Sequence, residues 1–561
     1  METRHGEVIP AVTAIDKDQW RPEEEPLLWH FLHFKRLIDA VTVESGPLQG
    51  WFSRPLWRQY SYAPFNARVM ENYYSLAFFY AHDAPWNCYY RHPAVLERLR
   101  LTLEYTLALA GPRGALPEYA PAHTDTPMLA PSSFGAEYLA AVLDRAGPLL
   151  PGDLRARVVA AARDATTYVL TAEESWTHAR SFSNQFLGAL VAARKLARLT
   201  GDQGLLALAE RGGRGVLEEF GAAPGYLYEN DGADTFGYFF VSLYRLIPLH
   251  HEWPDPCWSE VVRRQGAWMA RWMLPEPDGD TILLAGAHHT RTAGRDRITA
   301  APESLPAILV PSSGPYANRW GHGAGALLAG AEADERRFLR LAFPPVARQE
   351  AWHRAWRDEP DLIAAADWHH SSGEYPPVST LSGYPPYAPT DAAWREDRAA
   401  LPCHAATPVT ETLRDDRGNQ YTFVRQPRYY AGFAFATRRS VARLGPSFLW
   451  LPDAGTVILS YNARARYPGL CWETTLGERG TGSIPASALV RDEGGATEIS
   501  IDYGDLGCHK AYVLRPEGID VRLSVLRADG ANPTERVPLL LREDDLLRLD
   551  YGTCPVADLY E

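Results

Sequence analysis

Gln420-Tyr-Thr-Phe-Val424 and Tyr429-Tyr-Ala-Gly-Phe-Ala-Phe-Ala436 decide how this 561-residue chain is read, because apolar residues here recur at every second position. A period of two places alternate side chains on opposite faces of a strand. The same period returns in Thr456-Val-Ile-Leu-Ser-Tyr461, Thr497-Glu-Ile-Ser-Ile-Asp502 and Ile519-Asp-Val-Arg-Leu-Ser-Val-Leu526. Between these runs, Asp416-Arg-Gly-Asn419, Pro452-Asp-Ala-Gly455 and Asp529-Gly530 supply turn chemistry. Short strands punctuated in this way predict an antiparallel β-sandwich.

Upstream of that stretch the period is helical. Residues 27–41, 67–81, 94–110, 133–145, 154–170, 182–199, 205–220, 235–249 and 258–273 each repeat apolar positions at i, i+3 and i+4. Gly111-Pro112, Gly147-Pro148, Gly201-Asp202 and Gly221 are helix stops. Helix pairs recurring at about 45–50 residues stack as an open solenoid or close into a ring. The long polar and aromatic connections at 117–131, 222–235 and 284–315 favour a ring whose loops gather at one cleft. The expectation is an N-terminal (α/α) toroid over residues 1–345, a changeover at 346–400 rich in Pro, Trp, His and Asp, and the sandwich at 401–561.

Composition bounds the function. Hydrophobic residues make up 46% and charged residues 22%, as in ordinary globular proteins. A net charge of −13 argues against nucleic acid, which needs a basic surface. A polyanionic substrate then requires a local basic cleft. Seventeen Trp and twenty-eight Tyr offer faces on which sugar rings stack, although aromatics are also core material. No run of about 18 apolar residues is present, so no membrane span is expected. The acidic N-terminus lacks the pattern of a secretory signal, and the expected location is the cytoplasm unless a signal was removed. Six cysteines without short spacing fit buried thiols better than a zinc module. No His spacing supports a metal, and no phosphate- or dinucleotide-binding loop occurs, so no cofactor is expected. Oligomeric state is not legible.

Three segments can carry chemistry. In Ser175-Trp-Thr-His-Ala-Arg-Ser-Phe-Ser-Asn-Gln-Phe-Leu-Gly188, Ser181 or Ser183 can cap a helix. Asn184 and Gln185 then fall in its first turn, where outward N–H groups and the helix dipole favour an anion; alternatively, Asn184 only satisfies backbone. In Pro224-Gly-Tyr-Leu-Tyr-Glu-Asn-Asp-Gly-Ala-Asp-Thr-Phe-Gly-Tyr238, Asp234 caps a helix and Tyr238 lies one turn in. A tyrosine acts as a base only where its phenolate is stabilised, which a helix N-terminus and a nearby cation can do. Tyr238 is the first candidate, with Tyr226 and Tyr228 as alternatives; any of the three can instead be wall packing. In Ala285-Gly-Ala-His-His-Thr-Arg-Thr-Ala-Gly-Arg-Asp-Arg297, His288, His289, Arg291 and Arg295 belong to a dense cation cluster able to hold a carboxylate or sulfate. A solvated loop is the competing reading.

On these residues the chain resembles polysaccharide lyases built from an (α/α) toroid and an antiparallel β-sandwich, the heparinase II/III-like and chondroitin/hyaluronate lyase-like groups. Ser183-Asn184-Gln185 is similar to that family's uronate-neutralising Asn, and Glu229 through Tyr238 to the loop and helix of its catalytic Tyr. His288 to Arg295 resembles its Arg/His-rich loop, and Phe448-Leu-Trp-Leu-Pro-Asp-Ala-Gly-Thr-Val457 a strand and turn of its sandwich. The usual Glu-Gly-x-x-Tyr run is absent. The resemblance implies a carbon–oxygen lyase that cleaves an anionic, uronate-containing glycan by β-elimination. Asn184 and Arg291 would neutralise the carboxylate, Tyr238 or a His among His178, His288 and His289 would move the protons, and Gln185, Glu229, Tyr228 and Arg295 would bind substrate. Two rivals stand beside it. One is a toroidal glycoside hydrolase using carboxylates among Glu229, Asp231, Asp234, Glu137 and Glu173. The other is a glycan-binding protein without chemistry.

Overall fold

The computed structural model describes residues 8–21, 24–53, 64–118, 129–230, 232–235, 238–239, 241–242, 245–246, 249, 256–279, 281–286, 308–309, 337–342, 345, 347, 363, 378, 381, 389–438, 444–460, 471–525, 532–541, 546–549 and 552–555. Helices come first: α1 (Glu25–Asp39), α2 (Ala67–Met70), α3 (Tyr73–Ala81), α4 (Pro93–Leu109), α5 (Leu129–Ala146), α6 (Gly152–Thr171), α7 (Glu173–Ala179), α8 (Asn184–Thr200), α9 (Gln203–Glu218) and α10 (Pro256–Ala270). Described residues between 238 and 249 are helical as well. A further helix, α11 (Asp391–Ala399), precedes the strands from 409 onward. Among the described residues, no helix is long and apolar enough to cross a membrane.

Local chemistry sets several of these boundaries. Asp202 caps α9 by accepting from the amides of Gly204 and Leu205. Gly201 ends α8 in the left-handed region at φ +75°, which suits a residue without Cβ. The helix expected over 67–81 is two helices, because Asn66 caps α2 and the chain turns at Glu71 and Asn72 before α3. The short helix α7 was not visible as a period. Met273 opens a strand rather than closing α10.

The strands are antiparallel. A five-stranded sheet has the order β4 (Val409–Arg414), β5 (Asn419–Gln426), β6 (Tyr429–Ala436), β7 (Gly445–Leu451), β8 (Gly455–Leu459). A four-stranded sheet has the order β11 (Ala488–Glu493), β12 (Ala496–Tyr503), β13 (Cys508–Arg515), β14 (Gly518–Val525). Phe433 and Phe435 of β6 meet Ile499, Ile501, Tyr512 and Leu514 of the second sheet in one core. Smaller sheets join β9 (Glu473–Leu476) to β10 (Arg479–Gly480) and β15 (Pro533–Arg536), and β16 (Leu546–Leu549) to β17 (Gly552–Pro555). A third joins β1 (Met273–Pro275), β2 (Ile282–Leu284) and β3 (Ile308–Leu309). The architecture is therefore the expected helical toroid followed by a β-sandwich.

Two compact units result, and they do not follow chain order throughout. One comprises 1–221, 240–263 and 311–394; the other comprises 222–239, 264–310 and 395–561. Strands β5 and β6 are buried along their whole length, hence on both faces. The second face is covered from within its own unit by Trp268 and Trp272, whose rings lie 4.8 Å from Tyr421 and 4.9 Å from Phe423. Arg271 closes a two-bond fork on Glu411, at 2.7 Å for each arm, and Trp450 donates its indole N–H to the Pro275 carbonyl at 2.7 Å.

Candidate active site

In the helical unit, α5 and α8 carry the polar groups. Asn184 opens α8 and is 1% exposed, with Gln185 beside it at 7%. His178, at the end of α7, brings its Nε2 to 3.1 Å from Gln185 Oε1 and packs its ring against Phe182. Three of the residues expected at the site, Asn184, Gln185 and His178, thus share one turn of chain. The expected capping is corrected. Ser183 holds the N-cap position in helical conformation, with no side-chain cap bond. The amides of Gln185 and Phe186 already donate to the carbonyls of Phe182 and Ser183, at 3.1 and 3.0 Å. With those N–H groups satisfied, this helix start can act on an anion through the side chains of Asn184 and Gln185 rather than through a backbone nest.

Gly188 lies one turn beyond Asn184 on the same face, against α5. A Cβ there would sit 2.8 Å from Ser133 Oγ and 3.0 Å from both Glu137 Oε2 and the Phe134 ring. Ser133 Oγ accepts the Ala189 amide at 2.8 Å, which fixes the two helices in this register. Glu137 pairs with Arg245 at 2.7 Å, and the guanidiniums of Arg245 and Arg68 lie 4.0 and 4.3 Å from the Phe134 ring centroid. Arg68 pairs with the buried Glu71. Burial pushes the phenols of Tyr73 and Tyr138 well up, with the Glu71 and Glu137 carboxylates adding to it. Sequence reasoning passed over Arg245; its signal was a single charge inside the apolar run Phe239-Phe-Val-Ser-Leu-Tyr-Arg-Leu-Ile247.

The tyrosine loop belongs to the other unit. Glu229 and Gly232 face each other in a tight bridge, with Asn230 turning the chain at φ +52°. Glu229 and Asp234 are buried. Tyr226 donates to Asp415 Oδ2 at 2.5 Å, and Tyr228 donates to Asp416 Oδ1. The Arg417 guanidinium lies 3.6 Å from the Tyr228 ring centroid. Burial raises both phenols well above their ordinary value, and the neighbouring aspartates raise them further. Each is held as a proton donor to a carboxylate, which opposes the phenolate that a base requires. Tyr238 is half-buried and helical, as are the other described residues up to 249.

His288, His289, Arg291, Arg295 and Asp231 lie outside the described residues. Of the other carboxylates considered for hydrolysis, Glu173 is exposed at the start of α7 and Glu137 is ion-paired. Among the described residues, no group of three or more His, Cys, Asp or Glu side chains converges as a metal site.

The class defined by these elements is a helical toroid joined to an antiparallel β-sandwich. Solved structures of that fold are similar to nearly the whole chain. The chondroitin AC lyase of Streptomyces coelicolor A3, in complex with chondroitin sulphate, matches 94% of this chain and 69% of its own, at TM-score 0.52 and 14% identity. A tyrosine-to-alanine variant of that enzyme matches 96% of this chain and 71% of its own, at TM-score 0.55 and 15% identity. A Paenibacillus xanthan lyase matches 90% of this chain and 45% of its own, at TM-score 0.47 and 11% identity. No protein-family model matches the sequence, and no curated protein matches it.

Proposed function

We propose that this protein is a lyase that cleaves an anionic, uronate-containing glycan by β-elimination. The observation that carries the reading is the polar turn at the start of α8, where buried Asn184 and Gln185 stand beside His178 in a chain of toroid-and-sandwich fold. The proton on C5 of a uronate is weakly acidic until the adjacent carboxylate is neutralised. An amide donor such as the Asn184 side chain stabilises the charge that develops there, and does so more strongly in a buried site than in water. His178 holds Gln185 in place beside it. Tyr238 is the proposed base, since Tyr226 and Tyr228 are committed to aspartates. The C5 proton passes to this base, the C4–O4 bond breaks, a C4–C5 double bond forms, and the departing O4 takes up a proton. Arg291, with His288, His289 and Arg295, would supply the cationic part of the site, and Glu229 would contact substrate.

The test is the ultraviolet absorbance of an unsaturated uronate, followed with purified protein on chondroitin, hyaluronan, xanthan-derived and alginate-like substrates. Asn184→Ala and Tyr238→Phe are expected to lower kcat by roughly 100-fold or more, as loss of a transition-state donor or proton carrier does. Full activity in both variants would remove these residues from the mechanism. Products that gain water without a double bond would replace elimination by hydrolysis.

A further inference from the structure

Arg245 is 5% exposed, yet its ion pair is left half made. Its Nε donates to Glu137 Oε2 at 2.7 Å and its Nη1 to the Val241 carbonyl at 3.0 Å. Among the described residues, no group accepts from Nη2 and none donates to Glu137 Oε1. The same chain closes the full fork elsewhere, between Arg271 and Glu411, whose side chains are 18% and 39% exposed. The Arg245 and Glu137 side chains are only 6% and 13% exposed. Open hydrogen-bonding capacity costs most where water is scarcest; neither Nη2 nor Oε1 is among the fully buried partnerless atoms, so both stay accessible to a small polar group. Phe134 holds the Arg245 guanidinium against its ring at 4.0 Å, and the missing Cβ of Gly188 lets the α8 backbone approach Glu137. Asn184 stands one helical turn, about 5–6 Å, along that face.

We infer that Arg245 Nη2 and Glu137 Oε1 form a subsite for an uncharged sugar group that both accepts and donates, a ring hydroxyl. One donor beside one acceptor matches a hydroxyl. A carboxylate or sulfate offers acceptors only and would meet the Glu137 charge. The inference rests on the proposed function for the presence of a glycan. It assigns to this pair the neutral sugar next to the uronate, leaving the uronate to Asn184.

Non-sulphated chondroitin tetrasaccharide is the probe, used with the full chain in calorimetric titration, in kinetics and in a soaked crystal. Arg245→Lys keeps the charge and loses Nη2; in Glu137→Gln the amide oxygen stays on Arg245 Nε, and an NH2 donor replaces the Oε1 acceptor. Arg245→Lys, Glu137→Gln and Glu137→Ala are expected to raise Kd and KM by about tenfold or more, with kcat within about threefold of wild type. The crystal needs no variant and covers the case in which the substituted proteins do not fold. A sugar oxygen bridging Nη2 and Oε1 supports the subsite; a water in that place with the tetrasaccharide bound elsewhere, or no binding at millimolar concentration, overturns it. Unchanged KM in folded Arg245→Lys and Glu137→Ala also overturns it and leaves the lyase reading intact. Binding at this pair without turnover supports the subsite and counts against the lyase.

Discussion

Individual side chains set what each site can do. Glu24 is 1% exposed, and its carboxylate accepts from Arg21 Nη2 at 2.6 Å and from the Trp86 indole at 3.2 Å. Burial pushes its pKa up, but the bonds from Arg21 and Trp86 outweigh burial and hold it below the ordinary 4.5. A depressed carboxyl stabilises the fold above that ordinary value, and the contribution is lost as pH falls through the lower folded value. Tryptophan emission from the stacked Trp20–Trp86 pair, 3.9 Å apart, should therefore change on acidification below about pH 4.5, and the change should flatten in Glu24→Gln. Gly188 is as specific: Gly188→Ala would press on Ser133, Phe134 and Glu137 at 3.0 Å or less. Overpacking of this kind costs about 1–3 kcal/mol, measurable as a lower midpoint in denaturant.

At the scale of elements, two features turn a loop and a sheet into a rigid mount. The loop leading toward Tyr238 is tied to the β4–β5 turn by the Tyr226–Asp415 and Tyr228–Asp416 bonds. Tyr228→Phe keeps the ring on Arg417 but removes a bond to a carboxylate, so a loss of about 1–2 kcal/mol is expected. Faster hydrogen exchange at residues 226–235, with exchange elsewhere unchanged, would show that the clamp is local; unchanged exchange in the loop would count against it. In β6, the ladder to β7 shifts register between Gly432 and Phe433. A Cβ on Gly432 would come within 2.2 Å of the Phe448 ring. Gly432→Ala should therefore weaken the sheet by about 1–3 kcal/mol, read from thermal unfolding.

For the whole molecule, chain order and packing disagree in an instructive way. Segments 222–239 and 264–310 lie within the helical half of the sequence yet pack in the unit that holds the sandwich. A fragment of residues 1–345 would leave Tyr226, Trp268 and Trp272 without Tyr421 and Phe423. It is expected to bind a hydrophobic dye and melt without cooperativity; a sharply melting, dye-free fragment would show that these segments fold without the sheet. The sequence by itself determined the coarse order, a helical half followed by a sandwich, because apolar periodicity is local and reports which face of an element is buried. It also located the amide turn at Asn184, whose neighbours His178 and Gln185 are close in the chain. Periodicity does not say what covers a buried face. Only the tertiary structure decided that Tyr226 and Tyr228 meet carboxylates 189 and 188 residues away, and that Arg245 meets Glu137 across 108. Those contacts come from packing between elements distant in sequence, and they determine which tyrosines are tied up as donors and which buried charges are paired.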